Sequence, residues 1–316
     1  MSKLNLNKTW NYAAATESTN HILLKEKYDL FINGEFVKSN SKKYFDTINP
    51  ATDEVIAKIS EANKKDIDLA VKSAKIAFRR WSKLKAKERG KYIFRIARMI
   101  QERAKEFAVI ESIDGGKPIR ESRDIDIPLA ANHFFYYAGW ADKLEYAFPN
   151  KVPTALGVAG QIIPWNFPLL MLSWKVAPAL ATGNVVILKP AESTPLTAIL
   201  FAELCQEVGL PPGVFNLVTG DGTTGAALVK HPDISKIAFT GSTGVGKYIQ
   251  KETADRDIGL TLELGGKAAN IVFNDAAIDQ AVEGVVNGIF FNQGHVCCAG
   301  SRLVLQEDIH DEFVAK

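Results

Sequence analysis

From Ala155 onward the chain repeats one pattern: a short apolar run rich in β-forming residues, then a helical segment or a Gly/Pro turn, then another run. VAGQII, NVVILK, VFNLVT, KIAFT, GLTLEL and ANIVFN are these runs. A strand that is apolar on both faces must be covered on both faces. Strands alternating with helices achieve this as a parallel sheet with crossovers on either side. The expected fold class is therefore α/β, with ligands bound beyond the carboxyl ends of the strands.

The first half reads differently. An Asn33-Gly34 pair between short alternating runs in residues 28–60 predicts a hairpin. In KKDIDLAVKSAKIAFRR the apolar positions Ile67, Ala70, Val71, Ala74, Ala77 and Phe78 recur with helical spacing. A second long helix is expected from about Lys87 to Ile113, ending at Gly115-Gly116. With 316 residues, 47% of them hydrophobic, the chain can hold about two domains at roughly 150 residues each. Its 38 Lys and Arg against 36 Asp and Glu leave no net field to collect nucleic acid or an anionic membrane. Three cysteines, two of them adjacent, make neither a disulfide framework nor a zinc site, so no metal is expected. The polar first 27 residues lack a signal-peptide core and read as a loosely attached lead-in. No apolar stretch reaches the roughly 20 residues of a membrane span, so a cytoplasmic protein is expected.

Several stretches carry chemistry. KIAFTGSTGVGKYIQ (236–250) is a strand, a turn containing Gly241, Gly244 and Gly246, and a helix; its backbone N–H groups and helix dipole suit a phosphate, although a plain βα turn has the same pattern. NVVILKPAESTPLTA (184–198) delivers Lys189 and Glu192 to a strand end before a helix whose expected cap is Ser193 or Thr194. In GLTLELGGK, strand alternation sets Glu263 opposite the leucines, where it is a general base if partial burial raises its pKa and otherwise a solvated strand-end carboxylate. In GQIIPWNFPLL two prolines bracket Trp165-Asn166-Phe167, so Asn166 can present its amide as an oxyanion donor. FFNQGHVCCAGSR (290–302) follows an amphipathic helix bearing Ile278, Ala281, Val282, Val285, Ile289 and Phe290, and precedes a strand in SRLVLQ. It offers two adjacent thiols on a loop, either of which could be a nucleophile or simply pack.

PWNFP, LKPAE, GSTGVG, LELGGK and FFNQGHVCCAGSR, in this order, resemble the NAD(P)-dependent aldehyde dehydrogenase superfamily from about Tyr28 to Lys316. The resemblance implies a Rossmann-like parallel-sheet cofactor domain (28–137 and 156–265) and the beginning of a second α/β catalytic domain (266–316). Residues 1–27 would be a lead-in and 138–155 an oligomerisation arm shorter than the family's. The resemblance selects Cys297 as the nucleophile, with Glu263 as general base and Asn166, together with the Cys297 backbone N–H, as oxyanion donors. Lys189 and Glu192 would hold the adenosine ribose, Glu192 favouring NAD over NADP. Ser242 and Val245 would lie along the diphosphate and adenine, and Trp165 would line the cofactor cleft. Ile163, Gly225, Gly241 and Leu264 complete the implied cofactor positions.

The reaction so implied oxidises an aldehyde to a carboxylic acid through a Cys297 thiohemiacetal and thioester. His295 stands where the family usually has glutamine, a change that is either neutral or sets a titratable group near Cys297 that lowers the thiol pKa. The family's chain also continues beyond the equivalent of Lys316. The expectation is therefore a fragment or a chain completed by another, possible homo-oligomerisation included. Two alternatives accompany it: an inactive or complementation-dependent fragment that binds nucleotide or a partner chain, and a thiol esterase.

Overall fold

The computed structural model describes Thr19 and residues 22–316. Strands β1 (Lys27–Tyr28), β2 (Leu30–Ile32), β3 (Glu35–Val37), β4 (Tyr44–Asn49) and β5 (Glu54–Ser60) come first. Helices α1 (Lys64–Trp81), α2 (Ala86–Glu102) and α3 (Ala104–Gly115) follow. Then α4 (Ile119–Glu121) runs through a π turn into α5 (Ile127–Trp140), and α6 (Leu144–Ala147) is one turn. Strands and helices next alternate: β6 (Val158–Ile162), α7 (Pro168–Ala181), β7 (Val185–Lys189), α8 (Leu196–Glu207), β8 (Phe215–Leu217), α9 (Gly222–Lys230), β9 (Lys236–Gly241), α10 (Thr243–Glu252) and β10 (Gly259–Leu264). After them come β11 (Ala269–Val272), α11 (Ile278–Phe290), β12 (Arg302–Leu305) and α12 (His310–Ala315).

The main sheet has the order β10-β9-β6-β7-β8-β2-β3. From β10 to β8 every neighbouring pair is parallel, and β2 and β3 add an antiparallel hairpin at the edge. The chain lays β6, β7 and β8 in one direction, then returns across β6 to lay β9 and β10. Strand order thus reverses between β6 and β9, which opens a crevice at their carboxyl ends. All of β7 is buried, as a strand covered on both faces requires. The hairpin turns at Asn33-Gly34 with φ of 59° and 84°, the paired left-handed residues of a type I′ turn, and joins Leu30 to Val37 and Ile32 to Glu35.

Five of the six apolar runs enter this sheet. ANIVFN instead forms β11, which pairs in parallel with β12 from SRLVLQ in a separate two-stranded sheet. Ile278, Ala281, Val282 and Val285 of α11 pack there on Val272, Ile309 and Phe313. Phe290, expected on the same face, is 70% exposed because it falls at the helix end.

The sequence reading is corrected at three other points. The long helix is two helices: Arg103, at φ −100° and ψ 18°, separates α2 from α3. Its guanidinium reaches Glu106 and Glu207, each at 2.8 Å, while α2 packs on α5 and α3 on α8. The apolar spacing runs unbroken across Arg103, so periodicity could not reveal the change of direction. The lead-in is also tied down where it is described: Lys27-Tyr28 pairs with Lys58-Ile59, and Lys25 binds Glu203 at 2.7 Å. Residues 1–18, 20 and 21 lie outside the described residues. Among the described residues no helix is long and apolar enough to cross a membrane.

Third, α8 is capped by neither Ser193 nor Thr194. Asp114, at the end of α3, accepts the Leu196 backbone N–H at 2.8 Å and the Thr47 hydroxyl at 2.7 Å. One buried carboxylate thereby joins α3, α8 and β4. Burial pushes its pKa up to about 7 against the opposing pull of those two hydrogen bonds. Asp114→Ala leaves a buried N–H and hydroxyl without their acceptor and should lower unfolding free energy by about 1–3 kcal/mol in a urea titration. The folded-state pKa lies above the unfolded value, so the folded protein holds the extra proton between about pH 4 and 7 and stability declines as pH rises through that window. Asp114→Asn should flatten that decline.

Candidate functional site

The carboxyl ends of β6, β7, β9 and β10 open onto one cleft of about 1150 Å³. Every catalytic and cofactor position that the resemblance implied lines it. Ile163, Trp165 and Asn166 follow β6, while Lys189 and Glu192 follow β7. Gly241, Ser242 and Val245 lie at the β9–α10 junction, with Gly225 on α9 and Glu263 and Leu264 at the end of β10. Cys297 closes the circle from the far loop, with Cys298 beside it.

One part of the cleft suits an anionic, hydroxyl-rich ligand. Lys189 is buried, its side chain only 5% exposed, and its Nζ donates to Glu192 and to the Pro190 carbonyl, both at 3.1 Å. Burial lowers its pKa, and the neighbouring Glu192 carboxylate opposes that loss. Glu192 is 57% exposed and can accept from a ligand. The first turn of α10 faces the same space, with Ser242 Oγ accepting the Val245 N–H at 3.3 Å. Helix α10 can sit this close to the sheet because Gly246 has no side chain: a Cβ there would come within 2.5 Å of Leu264. A buried lysine, an exposed carboxylate and a helix N-terminus in an apolar crevice fit a dinucleotide's phosphates and ribose hydroxyls. Among the described residues no His, Cys, Asp and Glu cluster could hold a metal ion.

The thiol end is built from two loops. Helix α7 begins at Pro168, so Asn166 sits just ahead of it and its Nδ2 donates to the His295 carbonyl at 2.6 Å. Asn292 Nδ2 donates in return to the Asn166 carbonyl at 2.7 Å. The thiol loop enters through three successive left-handed residues, Asn292 (φ 49°), Gln293 (φ 57°) and Gly294 (φ 78°). For Asn292 and Gln293 that conformation costs on the order of 1 kcal/mol each. Cys297 and Cys298 are both exposed, while Cys205 is buried in α8, where burial holds its thiol well above the usual range.

Of the two readings of His295, the fold does not produce the one that lowers the Cys297 pKa. Cys297 is exposed as a residue, but partial desolvation of its thiol, followed by the adjacent Cys298, raises its pKa. The His295 ring packs instead edge-on against Trp165, with centroids 4.8 Å apart. Glu263 sits as alternation predicts, exposed with Thr261 while Leu260, Leu262 and Leu264 pack on the core.

The structure adds residues that the sequence reading missed. Phe167, Leu170, Met171 and Trp174 form one apolar wall of the cleft. Their spacing of i, i+3, i+4 and i+7 is the signal that could have found them. Lys175 is buried under the same wall and its Nζ donates to Thr240 Oγ1 at 2.5 Å. Burial pushes its pKa down to about 8 against the opposing field of Glu263. Nothing local marks it, because a lysine in a helix is ordinarily solvated.

The Aldehyde dehydrogenase family model matches residues 36–316. An aldehyde dehydrogenase of Alternaria alternata is 49% identical over 298 residues, covering 91% of this chain and 60% of the relative. The mitochondrial aldehyde dehydrogenase of Rattus norvegicus is 48% identical over 302 residues, covering 91% and 58%. An aldehyde dehydrogenase of Bacillus cereus, solved as its NAD+ complex, superposes with a TM-score of 0.89 at 44% identity, covering 92% of this chain and 62% of that one. The chain thus spans about 60% of the length of the curated relatives it matches. A family match over most of the sequence and a shared fold lead to one conclusion: the chain belongs to the aldehyde dehydrogenase family.

Proposed function

We propose that this chain oxidises an aldehyde to a carboxylic acid with NAD, using Cys297 as nucleophile, Asn166 as oxyanion donor and Glu263 as general base. The observation that carries the proposal is convergence: these three residues, far apart in sequence, line one cleft together with the dinucleotide-fitting groups Lys189, Glu192, Ser242 and Val245. The NAD+ complex of the Bacillus cereus relative supports the choice of cofactor.

The chemistry follows from the residue types. The Cys297 thiolate adds to the aldehyde carbon, and negative charge develops on the aldehyde oxygen. Asn166 spends one amide N–H on the His295 carbonyl. Its second N–H and the Cys297 backbone N–H are the donors offered to that oxygen. NAD, when bound, supplies the hydride acceptor that turns the thiohemiacetal into a thioester. Glu263 then takes a proton from water, whose oxygen attacks the thioester carbon and releases the acid and the thiolate. The apolar wall of Phe167, Leu170, Met171 and Trp174 excludes water from an uncharged substrate.

Two experiments test this. NADH formation at 340 nm with an added aldehyde should be abolished by Cys297→Ser and reduced on the order of 10²-fold by Asn166→Ala; full activity in Cys297→Ser would overturn the assignment. A raised Cys297 pKa means little thiolate at neutral pH. Without nucleotide, iodoacetamide alkylation of Cys297 should therefore climb at higher pH than in an unfolded peptide of the same sequence. A coincident or more acidic profile counts against the burial account.

A further inference from the structure

Asn292 and Gln293 hold a backbone conformation that only glycine takes freely, so something must hold them in it. The holding groups come from the segment between α3 and α5, which contributes nothing to the proposed chemistry. Glu121, the last residue of α4, accepts the Asn292 backbone N–H on Oε2 at 2.8 Å. Gln293 Nε2 donates to the Gly116 carbonyl at 2.6 Å. Asn292 is 2% exposed, and its amide donates to the Asn166 carbonyl. Asn166 in turn donates to the His295 carbonyl.

Two loops are therefore tied through one residue. A carboxylate hydrogen bond to a backbone N–H is charge-assisted and directional, which suits it to holding a strained residue. The amide of Asn292 then uses that fixed position to brace the loop carrying Asn166. Neither Glu121 nor Asn292 lines the large cleft, so neither can touch a substrate there. Their effect must pass through the residues they hold.

We propose that Glu121 and Asn292 are positioning residues: Glu121 fixes the left-handed backbone of Asn292, and Asn292 locks the Cys297 loop to the Asn166 loop. The inference rests on the assignment of Cys297 and Asn166 to aldehyde oxidation. A misplacement of about 1 Å between reacting groups is enough to cost on the order of 10² in rate, so slack in this latch appears in kcat.

The test compares the full chain with Glu121→Ala, Glu121→Gln and Asn292→Ala. Limited iodoacetamide labelling, read by tandem mass spectrometry, gives the Cys297 to Cys298 alkylation ratio, a local readout that a general loss of stability does not move. Both alanine variants should change this ratio by about tenfold as the loop comes free. Glu121→Gln keeps an acceptor oxygen and should return it to within about twofold. With NAD and an aldehyde, kcat should fall on the order of 10-fold to 100-fold in the alanine variants while KM for NAD holds. An unchanged ratio in both alanine variants, or a Glu121→Gln variant as impaired as Glu121→Ala, overturns the proposal. If Glu121→Ala does not fold, Asn292→Ala and Glu121→Gln decide it. If the unaltered chain produces no NADH, the aldehyde-oxidation assignment fails while the alkylation comparison still decides the latch.

Discussion

The site depends on β6 having a parallel neighbour on each side, β7 on one and β9 on the other. Two parallel ladders satisfy the backbone groups of a strand buried in the sheet, and they also make the strand ends point one way. The Trp165-Asn166 loop, Lys189, Gly241 and Leu264 therefore all emerge at the same edge. An antiparallel arrangement of the same strands would have sent alternate ends to opposite edges. The reversal of strand order between β6 and β9 then leaves a crevice at that edge which no crossover fills.

Around that crevice the protein keeps three lysines out of water and stabilises each differently. Lys117 lies between Glu111 and Asp126 and above the Phe167 ring, 4.3 Å from its centroid. Glu111 also accepts the Leu169 backbone N–H at 3.3 Å, so the charge cluster grips the start of α7 directly behind Asn166. Lys189 is partly compensated by exposed Glu192, an arrangement that leaves the carboxylate free for a ligand. Lys175 has the Thr240 hydroxyl and the field of Glu263, and burial pushes its pKa down to about 8. The contrast follows from charge pairing. An ammonium between two buried carboxylates is structural, since removing it would leave both acids buried without a cation, whereas one with a hydroxyl is poised to titrate.

Much of the fold was legible because its signals are local. Apolar runs bounded by glycine and proline became strands within a residue or two, and the Asn33-Gly34 turn formed through the backbone conformations that those two residues favour. The α1 stripe of Ile67, Ala70, Val71, Ala74 and Ala77 is buried as its spacing requires. The break at Arg103 was invisible, since it arises from the separate packing partners of α2 and α3 and leaves the apolar period intact. The cap on α8 was misjudged for a related reason. Ser193 and Thr194 are suitable types in the usual position, but Asp114 arrives from another helix and takes the N–H first.

The sequence by itself determined which strands form and which side chains are candidates for chemistry, because both are written in residue types a few positions apart. Tertiary structure alone decided how those side chains meet. The bond from Asn166 to His295 spans 129 residues and the one from Glu121 to Asn292 spans 171. The same holds for the Cys297 thiol: its neighbours in sequence left its pKa open between unchanged and lowered, and partial burial in the folded loop raised it. Desolvation depends on everything packed around a group, and no local pattern in FFNQGHVCCAGSR contains that information.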